Sequence, residues 1–108
     1  MNKQKLRNHL LGMRAVDLAI LVNVYSGYRK LPENDKRQLL ANFGLADLVR
    51  DLDSAEASIT EEERFEVHAA LSSPREPPIG YFLFSVRAKR REIDPIYEKA
   101  ERLLYYTC

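Results

Sequence analysis

The chain has 108 residues, 45% of them apolar and 31% charged, with a formal net charge of +1. This balance suits one small globular domain over 1–108 and excludes a disordered polyelectrolyte, a second sizeable core and any attraction to a partner resting on net charge alone. The only cysteine, Cys108, excludes an internal disulfide, so nothing calls for an oxidising compartment.

A basic start, Met1 to Arg7, precedes the apolar run Ala15 to Tyr25. Asp17 and Asn23 interrupt that run, no Ala-x-Ala-like cleavage site follows it, and it is about half the length needed to cross a bilayer. The expectation is a cytoplasmic protein with no membrane partner. Charge is unevenly spread: residues 1–37 carry eight Lys/Arg against three Asp/Glu, whereas residues 38–66 carry two against eight. Either the segments neutralise one another on folding, or the molecule has a basic and an acidic face.

In chain order, Asn8 to Tyr28 is the most apolar stretch. Its length favours helix over strand, and apolar side chains nearly all round predict a buried central helix at about 9–27, broken at Ser26-Gly27. Leu31-Pro32-Glu33 restarts a helix, with proline at the first helical position and Glu33 and Asp35 favouring the positive end of its dipole. Gly44 is its natural C′ residue. Leu45, Leu48, Val49 and Leu52 predict a third, short helix. Thr60-Glu61-Glu62-Glu63 fits a capping box that opens a fourth, running to about Leu71 and burying Phe65 and Ala69, with Val67 and Leu71 as further candidates.

Residues 72–79, containing Pro74, Pro77 and Pro78, form a Pro-rich loop and the place for any hinge. Ile79 to Val86 is ambiguous: its aromatics favour a strand, the following Arg87 to Glu92 a helix, and a lone strand would have no pairing partner, so a helix over about 80–93 is expected. Asp94-Pro95 starts the last helix as N-cap and N1, with Ile96, Ala100, Leu103 and Leu104 as its apolar stripe. The fold class is therefore all-α, a compact bundle of five or six short helices around the one at 9–27.

Chemistry-bearing motifs are scarce. His9, His68 and Cys108 have no zinc-ligand spacing, and neither histidine sits in a Glu-x-x-His pair. One helical turn after Arg64, His68 reads as a half-buried structural residue. Ser26 in Tyr-Ser-Gly-Tyr lacks the first glycine of a nucleophile elbow, the Glu61–Glu66 carboxylates are explained by a helix start, and four glycines form no phosphate cradle. No cofactor, metal or catalytic residue is expected.

Two surfaces remain. Arg87, Lys89, Arg90 and Arg91 follow Tyr81, Phe82 and Phe84, so phosphate contacts with base stacking are one reading and a solvated basic face over inward aromatics is the other. Leu103-Leu104-Tyr105-Tyr106 is too bulky a run for one helical face to bury, which leaves Tyr105 and Tyr106 for docking or self-association, or as caps of the core. A helix–glycine–helix spacing from Gln38 to Val49 invites a DNA-binding comparison, but Asp47, Asp51 and Asp53 would turn like charge toward phosphates. The expected function is a non-enzymatic regulator, inhibitor or adaptor that binds a larger protein; a nucleic-acid-binding regulator using 87–91 is the alternative.

Overall fold

Seven α-helices account for most of the residues that the computed structural model describes, 2–43, 46–71 and 75–107, the side chains of 42, 43 and 105–107 being outside the description. They are α1 (Lys3–Leu11), α2 (Ala15–Arg29), α3 (Glu33–Phe43), α4 (Ala46–Ala57), α5 (Glu61–Ala70), α6 (Tyr81–Ile93) and α7 (Pro95–Thr107). The chain is all-α, a bundle of short helices, with no strand among the described residues. The expected C′ glycine at Gly44, the apolar Leu45, residues 72–74 of the loop and Cys108 lie outside the described residues.

The helix expected at 9–27 is two helices. Gly12 closes α1, its N–H donating to Asn8 O while Met13 N donates to Leu10 O, and Arg14 adopts an extended backbone that opens α2. Asp17, in the first turn of α2, accepts from Arg14 Nε at 2.8 Å, so the new start carries its own acidic residue. At the other end Ser26-Gly27 does not break α2. An interior glycine costs only about 0.5–1 kcal/mol relative to alanine, and the flanking tyrosines outweigh it. Tyr25 and Tyr28, one turn apart and both buried, stack at 5.7 Å and donate their hydroxyls to the two oxygens of Asp53 at 2.6 and 3.1 Å.

Helix α6 packs against α1, α4, α5 and α7. Phe82, Leu83 and Val86 are its fully buried positions, at i, i+1 and i+4. Around them gather Leu6 and Leu10 of α1, Leu18 and Val22 of α2, Val49 and Leu52 of α4, and Tyr97 of α7 in one hydrophobic cluster. Gly80 starts α6 with φ +80° and has no side chain with which to cap it. The cap comes from elsewhere in the chain: Glu56 of α4 accepts from Leu83 N at 3.0 Å.

Local start signals hold at α5 and α7. Thr60 Oγ1 accepts from Glu63 N and Glu63 Oε1 from Thr60 N, completing the capping box, and Lys3 Nζ ties the same carboxylate to α1 at 2.7 Å. Asp94 Oδ1 accepts from Ile96 N, capping α7. The buried faces are rotated from those expected. Phe65 is 75% exposed and Ala69 is exposed as well, because α5 packs through Val67, with Leu71 half-buried. On α7 the inward stripe is Tyr97, Ala100 and Glu101, with Leu104 half-buried, while Ile96 and Leu103 are exposed. The described part of the loop is pinned to the core: Pro77 and Ile79 are buried, Gly80 N donates to Pro77 O, and Glu76 pairs with Arg29 at 2.6 Å.

Candidate functional site

The basic run 87–91 lies on the second half of α6, and much of its charge is turned inward. Arg87 donates through Nε to both oxygens of Glu101 at 3.1 Å and through Nη2 to Oε2 at 2.7 Å. Arg91 reaches the same carboxylate through Nη2 at 3.1 Å. Glu101 is 4% exposed, the one charged residue buried among the described residues, and its carboxyl is held below the ordinary glutamate value: burial pushes it up, but the two guanidinium groups outweigh burial. Arg90 pairs with Asp94 at 3.0 Å and donates to Leu11 O, the last carbonyl of α1, so it both caps α1 and fastens it to α6. Lys89 is exposed and makes no ion pair among the described residues.

Tyr105 and Tyr106 continue α7, and their side chains are outside the described residues. His68 is half-buried, with Nε2 3.0 Å from the Tyr81 hydroxyl and the two rings edge to face, while Arg64 lies over the Tyr81 ring. Among the described residues no group of three or more His, Cys, Asp or Glu could hold a metal ion, and no helix is long and apolar enough to cross a membrane.

Burial and neighbouring charges shift other groups as well. Burial, with Asp53 as hydrogen-bond acceptor, raises the Tyr25 hydroxyl. Burial raises the Glu56 carboxyl despite the backbone N–H groups of α6 aimed at it. The buried Tyr97 hydroxyl is raised by burial and then by the Glu101 charge.

What the sequence reasoning did not single out is the outer side of α2. Val16 is 51% and Ile20 43% exposed, and Val24 follows at the same spacing of four, so one ridge of the helix is apolar and uncovered. Beside it runs a groove of about 210 Å3 floored by Met13, Leu21 and Leu48, between α2 and α4. Its charges cancel locally: Arg14 pairs with Asp17 at 2.8 Å, and Arg50 lies 3.8 Å from Asp47. The signal was present in the sequence. A helix with apolar side chains all round must either be surrounded or leave one side bare, and α2 leaves the Val16–Ile20 side bare. A second exposed apolar group is Phe65, standing among Glu61, Glu62 and Glu66 on α5.

No protein-family model, no curated protein and no solved structure matches this chain.

Proposed function

We propose that this chain is a non-enzymatic regulator or adaptor that docks a larger protein through the outer side of α2, its occupant being the apolar face of an amphipathic helix of that partner. The observation that carries this reading is the half-exposed Val16–Ile20 ridge beside the Met13–Leu21–Leu48 groove. A ridge with a parallel furrow accepts anchors repeating at i, i+3 or i+4 and i+7, the way amphipathic helices seat in grooves. Met13 on the groove floor adapts its shape to such anchors. With Arg14–Asp17 and Asp47–Arg50 matched among themselves, attraction comes from removing apolar surface from water and not from net charge. The non-enzymatic part is supported by the internal pairing of Glu101 with Arg87 and of Tyr25 with Asp53. A cytoplasmic setting fits a chain with one cysteine.

The test is capture with the full chain and its Ile20→Asp and Lys89→Ala variants at low and high salt, followed by reconstitution with the purified partner. The reading expects a partner that survives salt and Lys89→Ala, is lost with Ile20→Asp, and binds through one amphipathic helix. A partner kept by Ile20→Asp overturns it. Salt-sensitive retention of nucleic acid that depends on Lys89 and Arg91 would favour the alternative in its place. Self-association lost with Ile20→Asp would make a second copy the occupant.

A further inference from the structure

The opposite flank of α2 borders a different cavity. Between the C-terminal half of α2, the Pro77–Ile79 segment and α6 lies a cleft of about 480 Å3, inside the range of roughly 300–1,000 Å3 typical of small-molecule sites. Val22, Ile79 and Phe84 give it an apolar interior, and Pro78 forms part of its wall. Its polar lining is one-signed. Asn23, Ser26 and Lys30, spaced along one stripe of α2, supply an amide, a hydroxyl and an ammonium, Arg87 adds a second cation, and no carboxylate is among the described residues that line it.

We propose that this cleft binds a small amphipathic monocarboxylate, a compact aliphatic or aromatic body carrying a single negative charge. The apolar body lies against Val22, Ile79 and Phe84, and the carboxylate meets Lys30, with Asn23 and Ser26 as neutral donors. A single charge is the match because Arg87 already faces Glu101, whereas Lys30 makes no ion pair among the described residues. The carbonyls of Gly27 and Tyr28 accept from Lys30 N and Leu31 N, and the cations Arg29 and Lys30 offset the negative end of the α2 dipole. The walls are preformed: Pro77 is buried, Gly80 N holds Pro77 O, and Tyr25 and Tyr28 anchor the far side of α2 to Asp53. A site that need not be ordered on binding keeps more of its contact energy.

The experiment is an amide chemical-shift titration of the full chain with octanoate, and with 1-octanol as the uncharged control. Saturable shifts are expected at residues 22–30, 77–80 and 84–87 in the millimolar range. Lys30→Gln, an exposed position whose fold is checked by circular dichroism, should weaken octanoate about fivefold and leave octanol unchanged. Ser26→Phe, which fills the cleft, should abolish both. The proposal is overturned by an absence of saturable shifts in this cleft, by an octanoate affinity indifferent to Lys30→Gln, or by shifts confined to the Val16–Ile20 side of α2. The expected shifts and both variants lie in this cleft and not in the Met13–Leu21–Leu48 groove, so their failure is distinguishable from failure of the protein-docking reading.

Discussion

Arg87 of α6 holds the buried carboxylate of Glu101 on α7 with three hydrogen bonds, and the second cation on the same carboxylate is Arg91. The arrangement lets an acidic residue sit in the inward stripe of α7, where an apolar one was expected. Removing one partner of a buried pair strands the other charge, at about 3–5 kcal/mol, whereas replacing both by apolar groups is often neutral. Since Arg91 remains, Arg87→Ala should cost less, about 2–3 kcal/mol, and Arg91→Ala, on a partly exposed arginine, under about 1 kcal/mol. The Arg87→Met, Glu101→Leu double variant should recover most of the loss. Urea denaturation of the four proteins measures this; a double variant no more stable than Arg87→Ala contradicts it.

Acid should weaken the fold through the same carboxylate. Glu101 and Glu63 titrate below their ordinary range: burial opposes this, but the arginines in one case and Lys3 with Thr60 in the other prevail. A lowered folded-state value gives stability that is complete above the unfolded value, about 4.3, and disappears as pH falls through the folded one. Glu56, raised chiefly by burial, has the opposite sign: its contribution is full below the unfolded value and is lost as pH rises through the folded one. Unfolding free energy should therefore drop between about pH 5 and 2, less steeply in Glu101→Gln and more steeply in Glu56→Gln. Superimposable profiles for Glu101→Gln and the parent would remove Glu101 as the source.

Features set by a few neighbouring residues were legible in the sequence. The Thr60–Glu63 capping box and the Asp94–Pro95 start depend on hydrogen bonds or backbone limits within one turn and stand where the residues put them. Helix α3, by contrast, begins at Glu33, one residue later than expected, with Pro32 just before it and its carbonyl accepting from Lys36 N. The faces of α5 and α7 were not legible, because which side turns inward is decided by distant partners. Nothing near Glu101 in sequence reveals that Arg87 and Arg91 will neutralise it, and so displace Ile96 and Leu103 to the surface. The same long-range pairing hid the fate of the basic run, which as a string reads as a surface patch. The Gly12 break was obscured by apolar residues on both sides that show no single helical phase.

The two sides of α2 should respond differently to substitution. Ile20→Asp changes a half-exposed position in the groove wall, and surface changes usually stay within about 0.5 kcal/mol. Leu18→Ala, two residues away on a fully buried side chain, should cost about 2–5 kcal/mol through lost burial and the cavity left behind. Thermal or urea unfolding of both variants checks this. A large loss for Ile20→Asp would mean that the outer ridge of α2 is covered within the monomer and is not available to a partner.

Two glycines give the final contrast. Gly27 lies inside α2 with nothing within 4 Å of where a Cβ would be, so Gly27→Ala removes backbone freedom from the unfolded chain without a clash and should stabilise by about 0.5–1 kcal/mol. Gly80 has φ +80°, and a Cβ there would collide with Arg29 Nη1 and the Glu56 carboxyl group. Gly80→Ala therefore combines about 1–3 kcal/mol of backbone strain with displacement of the carboxylate that caps α6, and should cost about 2–4 kcal/mol in all. Glu56→Ala removes the cap but not the glycine, and should reproduce part of that cost, about 1–2 kcal/mol. If urea midpoints show Gly80→Ala as harmless as Gly27→Ala, the left-handed entry to α6 and its cap by Glu56 are both wrong.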